Sequence, residues 1–518
     1  MTTSRAPQAG RPGAVASPHS AATEAGAEVL AAGGNALDAA IATNAILAVL
    51  YPHMCGIGGD LFLLYHEAAT GTVHCLNGTG AAPALATPQA FAERGLQAVP
   101  ARGPLPVTVP GAVGAWEAAV ARFGSRPLAD LLAPAIATAD AGVAVTERLA
   151  SWVAEARADI AQDPAMRRLF LDDGGAPVAP GTTLRQTALA ETLRRLAHAG
   201  AADLYHGELA DAIDAAVRAA DGLLRASDLA AYRPDWVVPI RTRHQGLDVV
   251  TTPPNSQAIT ALLMLDHMGA ANGQEPGTAR YVEDFVAAKR HAFALRDAYV
   301  TDPAHMTVGA EDLLAGAVPA ATGVAPPPRG DTVYLCTVDG EGNACSLIQS
   351  IYYAFGSCFV AGDTGILLHN RGHYFSLDPA AANVVAPGKR TLHTLMASMA
   401  LDEGRLRFVF GTMGADGQPQ TTVQVLHQLL RGRSAQDAVG APRFLHGRFA
   451  LEDDPELLHV EADYGSGALE TLGRTAPLDV VPAHSEIMGH SHAIAIDADG
   501  GLTAGADPRS DGSAAVVG

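Results

Sequence analysis

Residues 330–353 read GDTVYLCTVDGEGNACSLIQSIYY, and their reading decides the fold. Two runs rich in β-branched and aromatic residues flank Asp339-Gly340-Glu341-Gly342-Asn343, a cluster of turn formers, which is the pattern of an antiparallel hairpin. With the turn centred on Glu341, Thr332 and Ser350 each lie nine positions from the centre, so the ladder sets them opposite one another, to within about two residues. A threonine hydroxyl is a poor nucleophile unless a base takes its proton. If the Asp331–Thr332 peptide bond were broken, Thr332 would gain a free α-amine with a pKa of about 7.7–8 beside its own hydroxyl. Nucleophile and base would share one residue, and Ser350 would orient the amine. The plain alternative is a cross-strand hydroxyl pair that only stabilises the ladder.

Working outward, residues 315–330 (AGAVPAATGVAPPPRG) carry no periodicity and three consecutive prolines, which predicts an extended, exposed linker. Before it, helical patterning dominates. Residues 17–51 give two apolar-faced segments broken at Gly33-Gly34, a C-cap signal, and the second, 39–51, reads as a buried helix. Alanine-rich helices are expected at 113–122 and 184–199, and CGIGGD (55–60) reads as a glycine turn feeding the strand LFLLY. After the hairpin, further strands are expected at 407–410, 449–451 and 493–497. Helix-rich, then linker, then hairpin-rich suggests sheets covered by helices rather than a βαβ repeat.

Composition narrows the function classes. The 518 residues hold 34 Lys and Arg against 54 Asp and Glu, a net charge of −20, so no basic patch is advertised for nucleic acid or an anionic membrane. Hydrophobic residues at 48% against 17% charged exclude a disordered chain. No secretory signal or transmembrane run is readable, and the five cysteines are scattered without C-x-x-C spacing, so a cytoplasmic location is expected. There is no P-loop and no H-E-x-x-H. The glycines of 55–60 precede a strand, where a dinucleotide site needs them after one. Gly489-His490-Ser491-His492-Ala493 imitates a nucleophile elbow but leads into a strand rather than a helix. His490 and His492 could share a face as metal ligands, yet no third ligand is near in sequence, which favours a structural pair.

The chain also resembles a family, the γ-glutamyltranspeptidase-like N-terminal nucleophile hydrolases, over roughly residues 14–509. ASPHSAATEAGAEVLAAGGNALDAAIA, GIGGDLFLLY, VTVPGAVGAWEAA, GDTVYLCTVDGEGNA, FGSCFVAGDTGILLHN, PGKR, GTMGADG, APRF and ADPRS fall in that family's order and spacing. The resemblance implies an α+β, four-layer αββα sandwich made as one chain and self-cleaved before a threonine. Residues 1–331 would form a large chain and 332–518 a small catalytic chain, together one unit, with a homodimer of processed units as a further option. It implies Asp331-Thr332 as the cleavage site, Thr332 as nucleophile, Ser350 as its orienting hydroxyl, and the backbone N–H groups of Gly414 and Ala415 as the oxyanion hole. Ala415 stands where the family has glycine, which matters if that position requires a positive φ. No metal or organic cofactor is implied.

The departures lie in the substrate pocket. Where γ-glutamyl enzymes hold the donor's α-amine with Asn, Gln and Asp, this chain has Tyr352, Arg371 and Tyr374. Where they hold its carboxylate with an Arg and serines, it has a non-basic residue within 86–89 and the pair His393-Thr394. Asn370-Arg371-Gly372 with Tyr352 resembles the branch that includes oxamate amidohydrolase-like and acylase-like members. The expected activity is therefore hydrolysis or transfer of an acyl group from a small amide-type substrate other than glutathione, through Arg371, Tyr352, Tyr374, Asn370, His393 and Thr394. Alternatives are carbon–carbon bond hydrolysis on the same fold, or an uncleaved binding scaffold. Arg371 itself could instead turn away to pair with Asp363.

Overall fold

The computed structural model describes residues 12–269, 274–319, 330–447 and 454–518. The expected strand at 449–451 and most of the 315–330 linker lie outside the described residues. The hairpin forms as Asp331–Val338 and Ala344–Tyr352, at the centre of a seven-stranded antiparallel sheet. Across that sheet stand Ser513–Val517, Gly13–Ser17, Asp331–Val338, Ala344–Tyr352, Asp60–Glu67, Thr72–Gly78 and Asp235–Val237. A second antiparallel sheet of six strands runs Leu502–Ala506, Ser491–Ile496, Arg405–Thr412, Ser398–Asp402, Leu247–Thr251 and Ile240–His244.

Side-chain alternation along the strands assigns the layers. Leu335, Leu347, Leu61 and Leu63 point to one face and pack with the helices Ala36–Leu50, Ala112–Phe123 and Leu128–Ala141. Their neighbours Tyr334, Cys336, Ile348, Phe62 and Leu64 point to the other face and meet Val250, Met399, Val409 and Ile494 of the second sheet. The second sheet's outer face, with Val249, Ala400 and Phe410, is covered by Ile259–Met268, Ala279–Tyr299 and Gln418–Leu430. This is the αββα sandwich. Both sheets take strands from before and after the Asp331–Thr332 bond, so the helix-rich first stretch also supplies six of their strands, four in one sheet and two in the other.

The buried helix forms as Ala36–Leu50 with every residue buried, started by a capping box between Asn35 and Asp38. Inside the core Thr43 Oγ1 donates to Ala39 O at 2.7 Å, and Trp116 Nε1 donates to Asn44 Oδ1 at 2.8 Å. The helix expected from residue 184 starts later, at Thr187, because Leu184 belongs to a short strand with Thr183. No helix among the described residues is long and apolar enough to cross a membrane.

Candidate active site

The expected register holds from Ala344↔Val338 to Gln349↔Val333 and then breaks. A bulge follows Gln349, and the next pair is Tyr352↔Asp331. In place of a Thr332–Ser350 hydroxyl pair, Ser350 Oγ donates to the carbonyl oxygen of Asp331 at 2.5 Å and accepts from Tyr352 N–H at 2.7 Å. That corrects the pairing expected from the hairpin, and the bulge is the reason: it turns the Ser350 side chain along the strand onto the peptide bond that precedes Thr332. Thr332 and Ser350 are each buried.

Strained backbone collects around this bond. Tyr352 has φ +78°, Phe355 +58°, Cys358 +50° and Ala415 +45°, all in the region that side chains with a Cβ rarely adopt. Gly330 has φ +155°, and a Cβ there would stand 3.0 Å from the Tyr352 ring and 3.3 Å from Ala415 Cβ. The residue preceding the expected cleavage site is therefore clasped between Tyr352 and the Gly414-Ala415 loop. Gly414, at φ +127°, leads into the short 3-10 turn Ala415–Gly417. Burial, reinforced by Glu486 and Glu155, pushes the Asp331 carboxyl well above the usual carboxylate range.

The pocket residues fall into two groups. Arg371 is buried; its guanidinium lies over the Tyr352 ring at 4.0 Å, and its NH1 donates to Thr394 Oγ1 at 3.2 Å. Its NH2 has no hydrogen-bond partner, and it makes no ion pair among the described residues. Asp363 is exposed, so the alternative pairing does not form. Burial lowers the Arg371 pKa, opposed by Tyr352 and Asp60. Tyr374, edge-on to Tyr352, donates from its hydroxyl to Asp416 Oδ1 at 3.0 Å. That carboxylate also accepts from Arg296 NH1 at 2.9 Å, while Arg296 Nε pairs with Asp297 at 2.8 Å, so one buried cation is shared between two acids behind Tyr374.

Asn370 and His393 are tied into the framework. Asn370 Oδ1 accepts from Tyr353 N–H and its Nδ2 donates to Ala101 O, which uses both ends of the amide on backbone. His393 Nε2 lies 3.1 Å from Asp60 Oδ2 and its Nδ1 accepts from Leu395 N–H, so both ring nitrogens have partners within the protein. Burial and the nearby Arg371 push the His393 pKa down to about 3. Asp60 ends the glycine turn of 55–60 and also stands 3.4 Å from His369 Nδ1. The turn's glycines thus serve close packing: Gly59 O accepts from Gly111 and Ala112 N–H, which docks the VTVPGAVG segment. Sequence reasoning missed Gln257, Arg296 and Asp416: the first two sit in no pattern that marks chemistry, and Asp416 lies in GTMGADG beside the Gly414-Ala415 pair, a signal that could have found it.

Elsewhere, His490 and His492 are both buried, and the His492 ring stacks on Tyr334. No group of three or more His, Cys, Asp or Glu is placed to hold a metal ion among the described residues. The strand Ser491–Ile496 runs on from Gly489-His490 without a helix.

The two stacked sheets between helices, with a strained hydroxyl-bearing strand end at their centre, define an N-terminal nucleophile hydrolase. The chain belongs to the γ-glutamyltranspeptidase family, whose pattern matches residues 22–517. A glutathione hydrolase-like YwrD proenzyme of Bacillus subtilis (strain 168) is 37% identical, covering 97% of this chain and 98% of the relative. An oxamate amidohydrolase proenzyme of Klebsiella pneumoniae is also 37% identical, again over 97% of this chain and 98% of the relative. The crystal structure of cephalosporin acylase from Bacillus halodurans superposes with a TM-score of 0.88 at 35% identity, covering 99% of this chain and 98% of that one. The protein is a hydrolase or acyltransferase of this family, and both of those curated relatives are named as proenzymes.

Proposed function

We propose that the chain cleaves itself between Asp331 and Thr332, and that the freed Thr332 then hydrolyses or transfers the acyl group of an amide whose acyl portion carries a carboxylate with no free α-amine beside it. The observation that carries this reading is the hydrogen bond from Ser350 Oγ to Asp331 O at 2.5 Å. It polarises the one carbonyl that the neighbouring Thr332 hydroxyl would attack, and it holds the charge that develops there. The attack forms an ester to Thr332 Oγ as the peptide C–N bond breaks, and water then releases the Asp331 carboxylate. In turnover the new α-amine takes the hydroxyl proton, Thr332 Oγ attacks the substrate carbonyl, and the N–H groups of Gly414 and Ala415 receive the oxyanion. The amine returns the proton to the leaving group, and water or an acceptor amine releases the acyl group.

Arg371 sets the substrate class. Burying a guanidinium without an acid costs several kcal/mol. One cation–π contact of about 2 kcal/mol and one neutral hydrogen bond offset only part of that. A substrate carboxylate supplies the missing partner, and a guanidinium fork suits it. The acids behind Tyr374, Asp416 and Asp297, are both engaged by Arg296, and Tyr374 stands where γ-glutamyl enzymes offer a carboxylate to the substrate ammonium, so glutathione is a poor donor. Oxamate, for which the Klebsiella relative is named, is an amide whose carbonyl carbon bears a carboxylate.

N-terminal sequencing and intact mass of the purified protein test the cleavage. The smaller fragment begins at Thr332, and Thr332→Ala stays one inactive chain; a fragment starting elsewhere removes the nucleophile. Arg371→Gln raises KM for the carboxylate-bearing amide by about 10- to 100-fold, equivalent to roughly 1.4–2.8 kcal/mol. An unchanged KM, or efficient turnover of glutathione by the wild type, refutes the substrate class.

A further inference from the structure

Gln257 lies between the strand Leu247–Thr251 and the helix Ile259–Met268, fully buried. Its backbone N–H donates to His393 O at 2.8 Å. Its side-chain nitrogen donates to two carbonyls, Thr394 O at 2.8 Å and Ala415 O at 2.8 Å. Its Oε1 accepts from Arg296 NH1 at 2.7 Å, and the same Arg296 nitrogen donates to Asp416 Oδ1 at 2.9 Å. A closed ring therefore runs from Ala415 through Gln257 and Arg296 to Asp416, and back along one peptide link. The ring surrounds a residue whose φ of +45° is disfavoured for any side chain but glycine.

We propose that Gln257 is a positioning residue that holds Ala415 in the left-handed conformation needed to aim the Gly414 and Ala415 N–H groups at the reacting carbonyl. The proposal rests on the oxyanion role given to those groups above. With the Ala415 carbonyl tied to Gln257 and the next side chain anchored on Arg296, the residue cannot relax to a negative φ, a rotation that would turn its N–H away. By bonding Thr394 O with the same nitrogen, Gln257 also ties the oxyanion loop to the segment that holds Arg371. A buried amide that merely fills the core would touch neither function.

The test is a double-mutant cycle on processed enzyme, with oxamate as the probe and ammonia release as the readout. Gln257→Ala lowers kcat by about 10- to 100-fold with little change in KM. In an Ala415→Gly background the same change costs less than about threefold, because glycine holds a positive φ without help. Gln257→Glu keeps the acceptor for Arg296 but loses both donors, and it shows the same loss and the same rescue if the alanine variant does not fold. Equal loss in both backgrounds, or no loss in either variant, overturns the proposal. If the wild type is processed but inert toward oxamate, the substrate class fails instead. Crystal structures then decide on Gln257: a relaxed Ala415 φ in the variant supports the proposal, and an unchanged positive φ overturns it.

Discussion

The Ser350 hydroxyl meets a carbonyl rather than another hydroxyl, and that changes what its loss would do. Ser350→Ala removes the donor to Asp331 O. A charge-stabilising hydrogen bond in a preorganised site is worth roughly 1–3 kcal/mol, so fragment formation slows by about 5- to 150-fold. Ser350→Thr keeps the hydroxyl and cleaves at a comparable rate. A time course of fragment formation on a denaturing gel measures both; an undelayed Ser350→Ala would leave Ser350 a ladder residue only. Thr332, Ser350 and Arg371 could be singled out as candidates because hairpin symmetry and ordered motifs mark them. Gln257 and Arg296 were not, nor was the partner of Asp416 although GTMGADG contains that residue, since these contacts join positions at least 39 apart.

At the scale of elements, the glycine turn of 55–60 shows how one segment serves the site without touching it. Gly59 packs against the end of the strand Ala344–Tyr352, and a Cβ on it would lie 2.3 Å from Ser350 O. Backbone cannot yield at that distance without moving the bulge that aims Ser350. Gly59→Ala is therefore expected to fold with a lowered Tm and to cleave more slowly than the wild type, by at least about tenfold. Calorimetry with a parallel gel checks it, and normal cleavage in a folded Gly59→Ala protein would separate the turn from the site. The existence of these elements was readable from β-branched runs and caps. The bulge was not, because a ladder's register follows from counting only until packing inserts an extra residue.

Across the whole molecule, strings far apart in sequence close on one another. Arg443 of APRF and Arg509 of ADPRS meet Asp507 and Glu461 in a buried cluster: Arg443 NH2 lies 2.7 Å from Asp507 Oδ2, Arg509 NH1 lies 3.0 Å from Asp507 Oδ1, and Arg509 pairs with Glu461. Burial alone would raise the Asp507 carboxyl, but Arg443 and Arg509 outweigh it and hold the pKa down at about 2. A pKa below its unfolded value means stability that is fully present above about pH 4 and lost as pH falls toward 2, roughly 2 kcal/mol for this group. Thermal unfolding between pH 4 and pH 2, followed for wild type and Asp507→Asn, should show the steeper loss in the wild type, and equal slopes would remove Asp507 as the cause. By itself the sequence determined the elements, the hairpin and the order of the motifs, because these depend on neighbours a few residues apart and on local backbone preference. Only the tertiary structure decided the aim of Ser350, the Arg296–Asp416 pair, the absence of an ion pair at Arg371 among the described residues, and the hydrogen bond from Gln257 to Ala415 O. Each of those is set by which buried charge or carbonyl the fold brings within hydrogen-bond reach, and no local preference encodes that.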